Sequence, residues 1–274
     1  MRTKEPPRLL LMTGDGAFRT RLTRAVARLY SIHSVATWEE LRDAIIDSPP
    51  NTIVVVDSAA GRPSGPRPAR PFTALLEAFP SASFFAVVQR TGNLLKTVPA
   101  LATYGLADVI VIGHDDTATA LRERFRRGHG RPLMRMLDST LPATLDPHAR
   151  AIVAAAGEVV NTAGLSADLA AKLRTSRRTL LRACRRAQLP PPRRLLAWIR
   201  VLQAASLLDE HGRTVADVAR ACGYSSDAAL RRITVNFVGC SPSVMRRRGA
   251  AEAARRAFIA ELEALARSST ARDG

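Results

Sequence analysis

Between residues 165 and 248 one local grammar occurs twice, in LSADLAAKLRTSRRTLLRACRRA and again in TVADVARACGYSSDAALRRITVNFVG. Each copy is a short segment with an apolar stripe at helical spacing, a tight break, and a second segment opening on a hydroxyl residue. In the first, Leu169 and Leu173 fall at i and i+4, and Ser176 is placed to cap a helix carrying Leu180 and Cys184. In the second, Val215, Val218, Ala219 and Cys222 make the stripe and Gly223 ends it. Ser225 or Ser226 then caps a helix carrying Leu230, Ile233 and Phe237. One such pattern fits any three-helix bundle. Two in register, joined by an apolar helical segment over 193–208, predict an all-α C-terminal domain with two helix-turn-helix units.

With the apolar residues turned inward, the outer side of the first second-helix shows Arg177, Arg178, Arg182, Arg185 and Arg186, a surface suited to phosphates and guanine edges. The corresponding helix of the second unit shows Asp227, Ala228, Ala229, Arg231 and Arg232. Small residues there let the backbone approach a groove while two guanidinium groups reach base edges or phosphates. Charge agrees with a polyanionic partner. Basic residues outnumber acidic ones 41 to 24, and residues 165–248 hold 17 basic against 5 acidic, while 1–127 hold 17 against 12. A coding bias toward arginine accounts for arginine over lysine, but not for this clustering.

These residues resemble the DNA-binding domain of the AraC/XylS transcription regulators. The resemblance runs from about Asp146 to Arg248 and includes LL-x-W-I-R-x-L-x-A-A-x-L-L, T-V-A-D-V-A-x-x-C-G-Y-S and G-C-S-P-S-V-M-R. It implies double-stranded DNA as ligand, with base contacts at Arg178, Leu181 and Arg182 in the first unit and at Asp227, Ala228, Arg231 and Arg232 in the second. Ser176, Arg177, Arg185, Arg186, Ser225 and Ser226 complete the expected DNA-facing set. Leu181 departs from the polar residue common there and suits a thymine methyl. Thr234, Val235 and Asn236 stand where the family carries apolar and basic residues, which predicts weaker phosphate binding by the second unit. The connecting helix is expected to set the recognition helices in successive major-groove segments, about one DNA turn (~34 Å) apart. RNA polymerase is the protein partner such a regulator implies.

Residues 8–127 alternate short apolar runs (RLLLM, SIHSV, TIVVV, SFFAVV, DVIVI) with helix-period stretches over 17–29, 38–46, 72–79, 94–104 and 117–126. Five such units predict a five-stranded doubly wound parallel sheet. This half resembles a response-regulator receiver domain, most clearly at TIVVVDS, where Asp57 ends the third strand at the phosphoacceptor position. The other receiver positions are lost. Thr13 and Gly14 replace the acidic pair, leaving Asp15 as the nearby acid, and Val88 and Gln89 stand near the expected hydroxyl. Ile112 takes the place of the lysine, and GRPSGPRPARP replaces the loop after the acceptor. Without metal ligands and lysine to offset phosphoryl charge, Asp57 reads as a vestigial acceptor in a phosphorylation-independent domain. Such a domain is expected to signal through pairing with a second copy or through a ligand at the strand ends.

The sequence-based division is a receiver-like α/β domain over 1–127, a linker over 128–144, the tandem domain over 145–248 and a helical tail over 249–274. Asp146 with Pro147 predicts a helix start. In the tail, Phe258, Leu262 and Leu265 share one stripe that suits packing on its own domain or pairing with another subunit. The run Arg246 to Arg248 suits either phosphates or a solvated helix end. Cys184, Cys222 and Cys240 match no metal or redox spacing and read as reduced structural thiols. The five histidines, His33, His114, His129, His148 and His211, form no triad or metal pattern. No catalytic constellation, cofactor or metal site is predicted. A signal-peptide core and a bilayer-length apolar run are also missing, so the expectation is a cytoplasmic regulator that is not an enzyme. Its rivals are a two-component regulator switched at Asp57 and a non-specific DNA-compacting protein.

Overall fold

The computed structural model describes residues 6–57, 69–89, 98, 99, 101 and 103–273. The chain forms two compact units, 1–131 and 132–274.

In the first unit the apolar runs become strands β1 (Arg8–Met12), β2 (Ser31–Ser34), β3 (Ile53–Asp57), β4 (Ser83–Val88) and β5 (Asp108–Val111), alternating with helices α1 (Gly16–Val26), α2 (Trp38–Ile46), α3 (Arg70–Ala78) and α4 (Ala118–Gly128). All pairings are parallel, in the order β2-β1-β3-β4-β5, with Leu10 opposite Val54 and Val55 opposite Phe85. This is the order of flavodoxin-like doubly wound folds, whose strand sequence reverses between β1 and β3.

Helices cover both faces, so the strands read as unbroken apolar runs. Because side chains alternate along a strand, Leu9, Leu11, Val55, Phe85 and Val87 pack with Phe18, Leu22, Leu121 and Phe125 on one side. Leu10, Met12, Val54, Val56 and Phe84 pack with Leu41, Ile45, Phe72 and Leu75 on the other. The helical stretch predicted over 94–104 and the proline-rich loop lie largely outside the described residues. The last of those prolines, Pro71, sits in the first turn of α3, where its missing N–H costs nothing.

Gly128 has a packing role that its sequence neighbourhood conceals. It reads as a linker residue, yet it ends α4 directly over Phe85: a Cβ there would come within 2.2 Å of the ring, and its carbonyl accepts the buried Ser83 hydroxyl at 3.0 Å. Most of the predicted linker is likewise ordered structure. Helix α5 (Arg131–Thr140) fills it, and Leu133, Leu137 and Leu141 join the core of the second unit. The segment's glycine and proline read as linker, but the apolar spacing of 133, 137 and 141 takes it into a core.

The second unit continues with α6 (Pro147–Asn161), α7 (Ser166–Lys172), α8 (Arg177–Arg186), α9 (Pro192–Asp209), α10 (Val215–Ala221), α11 (Asp227–Val238), α12 (Pro242–Arg247) and α13 (Ala250–Asp273). Asp146 caps α6 as its sequence predicts, accepting from the N–H of His148 at 2.8 Å. Helix α9 is apolar nearly all round, and Leu195, Leu196, Trp198, Ile199, Leu202 and Leu207 make it the buried axis of the unit.

Candidate nucleic-acid interface

The two helix-turn-helix units are built by the same backbone chemistry. After α7 the N–H of Arg174 reaches the carbonyl of Ala171 and that of Thr175 reaches Ala170, at 3.0 and 2.9 Å. After α10 the N–H of Gly223 reaches Arg220 and that of Tyr224 reaches Ala219, also at 3.0 and 2.9 Å. Both are the paired bonds of a Schellman turn, whose pivot residue takes a left-handed conformation, here Arg174 at φ 50° and Gly223 at φ 73°. Only the glycine was readable from sequence, because arginine adopts this conformation at a steric cost.

The second helix of each unit then opens on a serine. The Ser176 hydroxyl accepts the N–H of Thr179 at 3.1 Å, and the Ser226 hydroxyl accepts that of Ala229 at 3.1 Å. The alternative Ser225 lies in the turn, which has one residue more than its counterpart. Upstream, Thr214 and Asp217 form a reciprocal capping box on α10. The Asp217 N–H donates to the Thr214 hydroxyl at 3.1 Å, and the Asp217 carboxylate accepts the Thr214 N–H at 2.8 Å. The T-V-A-D string carried this signal. The box holds the Asp217 carboxyl below its ordinary value, chiefly through the Thr214 hydroxyl.

On α8 the inward residues are Leu180 and Cys184, and burial pushes the Cys184 thiol up to about 11. Ser176, Arg177, Arg178, Arg182, Arg185 and Arg186 are exposed, and Leu181 is half-buried. On α11 Ser225, Ser226, Asp227, Ala228, Arg231 and Arg232 are exposed above the buried Leu230. Thr234 proves to be a core residue, fully buried with its hydroxyl donated to the Arg231 carbonyl at 3.0 Å, whereas Val235 and Asn236 are exposed. Its place four residues after Leu230 was the available signal; polarity obscured it.

Ion pairing separates these arginines from ten others. Among the described residues, Arg21, Arg124, Arg126, Arg127, Arg194, Arg213, Arg220, Arg255, Arg256 and Arg267 are each paired with a carboxylate within 4.0 Å. None of the seven guanidinium groups on α8 and α11 is paired this way. Unpaired cations on a solvent face suit an anionic ligand, since binding breaks no internal bond. Arg246 does not join them: its guanidinium donates to the carbonyls of Leu208 and Arg213 at 2.8 Å each and fastens α12 to the end of α9. The solvated or phosphate-contacting role that sequence suggests for that residue gives way to a structural tie.

At the strand ends of the first unit, Asp57 closes β3 and is half-buried, with Val87 opposite it on β4. Asp15 is engaged as the N-cap of α1, accepting the Phe18 N–H at 2.8 Å, which holds its carboxyl below the ordinary value. Ile112 packs against the apolar cluster of its face, and Arg21 is paired with Asp116 at 2.6 Å. Among the described residues no three His, Cys, Asp or Glu side chains are grouped to hold a metal ion.

Residues 169–248 match the family model described as a helix-turn-helix domain, HTH_18. No curated protein matches the chain. Among solved structures the chain is similar to full-length FixJ from B. japonicum, at 14% identity and a TM-score of 0.32, covering 84% of this chain and 97% of that one. A likeness at that level carries nothing further. No described helix is long and apolar enough to cross a membrane.

Proposed function

We propose, from the AraC-type helix-turn-helix domain that the chain carries at residues 169–248, that this DNA-binding regulator reads sequence through both of its units at once. The observation behind this reading is the pair of serine-capped recognition helices, with seven unpaired guanidinium groups between them, on either side of one buried connecting helix. In the first unit Arg178 and Arg182 are assigned to guanine edges, Leu181 to a thymine methyl, and Arg177, Arg185 and Arg186 to phosphates, with the Ser176 cap at the groove. In the second, Asp227, Ala228, Arg231 and Arg232 face the bases behind the Ser225 and Ser226 turn. Two such units in one chain read a bipartite site whose halves lie about one DNA turn (~34 Å) apart.

The receiver-like unit regulates without phosphorylation in this reading. Phosphoryl transfer needs cations at the acceptor, and Thr13, Gly14 and Ile112 supply none. A second copy pairing through this unit, and RNA polymerase, are the protein partners it implies, and no catalytic step is assigned to the chain. Footprinting of purified full-length protein on genomic DNA tests it. Discrete sites, each with two protected segments on one face, are expected. Uniform coating would replace the regulator with a DNA-compacting protein.

A further inference from the structure

Helix α13 lies beyond the matched residues, yet it packs on α9, α11 and α12. Three points fasten it. At its start, the Asp209 carboxylate at the end of α9 accepts the N–H groups of Ala250 and Ala251 at 2.7 and 2.8 Å. Midway, buried Phe258 meets Trp198 of α9 with ring centroids 5.3 Å apart. A turn further on, both carboxylate oxygens of Glu261 accept from Arg194, one from Nε and one from Nη2, at 2.6 Å each.

The Arg194 guanidinium has a second contact. Its central carbon stands 4.6 Å from the centroid of Phe237, near the end of α11, and the same ring meets Trp198 edge-on at 4.8 Å. A bidentate carboxylate fixes the plane of the guanidinium, and the cation then lies against an aromatic ring of the second recognition helix. Arg194 thereby joins three helices, with the counter-charge supplied by the tail. Residues 194 and 261 are 67 positions apart, so no local pattern announces the pair.

We propose that α13 is a positioning strut for the second recognition helix, acting through the Arg194–Glu261 pair against Phe237, so that DNA contact by the second unit depends on the tail while contact by the first does not. This rests on the two-unit reading proposed above. The physical reason is the charge difference between the units. Helix α8 presents five unpaired arginines and keeps its electrostatic hold when slightly displaced. Helix α11 presents two, offset by Asp227, so it relies on geometry, and groups reading an edge must be held to within about 0.5 Å.

The test uses the full chain with Glu261→Gln, which keeps the shape and removes the charge, and Arg194→Lys, which keeps the charge and removes the fork. The Arg194 side chain is 41% exposed, so both variants leave the apolar core in place. Backbone hydrogen exchange over 227–238 should quicken roughly three- to tenfold in each, with 177–186 unchanged. On sites selected by the wild-type protein, protection should be lost over one segment and kept over the other. Unchanged exchange over 227–238, an equal rise in both recognition helices, or equal loss of both protected segments would overturn the proposal. If the wild-type protein protects no paired segments, the two-unit reading fails, and the exchange measurement alone decides whether α13 holds α11.

Discussion

At the scale of single residues, the roles proposed for Arg178, Arg182, Arg185 and Arg186 follow their places along α8. Arg178 and Arg182 are one helical turn apart near the start, where a recognition helix meets base edges, and Arg185 and Arg186 lie toward the end, where it meets the backbone. Arg182→Ala is expected to weaken binding to the selected site by about 1 to 3 kcal/mol and to relax preference at one base pair, as loss of a bidentate guanine contact does. Equal losses on selected and random duplexes would make it a phosphate contact. Alanine at Arg185 or Arg186 should instead lower affinity on every sequence and reduce the salt slope by about one each in titrations across salt concentration. Asp57 gives the matching test in the first unit. Of the acids that follow β1 and β5, Asp15 caps a helix and Asp116 pairs with Arg21, and Ile112 is packed in an apolar cluster. Acetyl phosphate with magnesium should therefore leave the intact mass of the chain unchanged. A labile phosphoryl adduct at Asp57 would restore a two-component switch.

At the scale of elements, α7 and α10 are each only seven residues long and depend on their ends, because so short a helix has few internal hydrogen bonds. The Thr214 and Asp217 box supplies one of those ends, and Asp217→Asn should destabilise the second unit by about 0.5 to 2 kcal/mol at neutral pH. The sign of its pH dependence follows from the depressed carboxyl. A group whose folded value lies below its ordinary 3.8 contributes stability that is fully present above that pH and is lost as pH falls through the lower folded value. The gap in melting temperature between wild-type and Asp217→Asn proteins should stay constant from neutral pH down to about 5 and close below about 4. A gap that persists in acid would show that the asparagine acts through packing and not through the charge.

At the scale of the whole molecule, the division into units decides which fragments are stable. Sequence punctuation puts the start of the tandem domain near residue 145, but Leu133, Leu137 and Leu141 on and just after α5 belong to its core. A fragment of residues 132–274 should melt higher than one of 145–274, because the shorter one exposes the surfaces that three buried leucines cover, at roughly 1.5 to 3 kcal/mol per side chain. Thermal melts of the two fragments check this, and equal midpoints would make α5 a passive connector. The longer fragment should also retain the salt-dependent DNA binding of the full chain, since all seven unpaired guanidinium groups lie within it.

What the sequence determined by itself was everything that rests on short-range order. Short apolar runs specified the five parallel strands, and period-3.6 apolar spacing the tandem helices. Serine placed before them specified the caps of α8 and α11, and clustered arginine specified an exposed basic face on α8. These features act within a few residues, where chain geometry leaves few alternatives. Tertiary structure decided whatever depends on which distant residues meet. It made Gly128 the seat of Phe85, turned the linker into α5, buried Thr234, took Arg246 out of the phosphate-facing set and brought Glu261 to Arg194. Only Thr234 and the α5 leucines carried a local signature, their helical spacing; the rest had none, because a polar or charged side chain looks the same in sequence whether its partner is water, DNA or a carboxylate 67 residues away, and only the packed chain chooses among them.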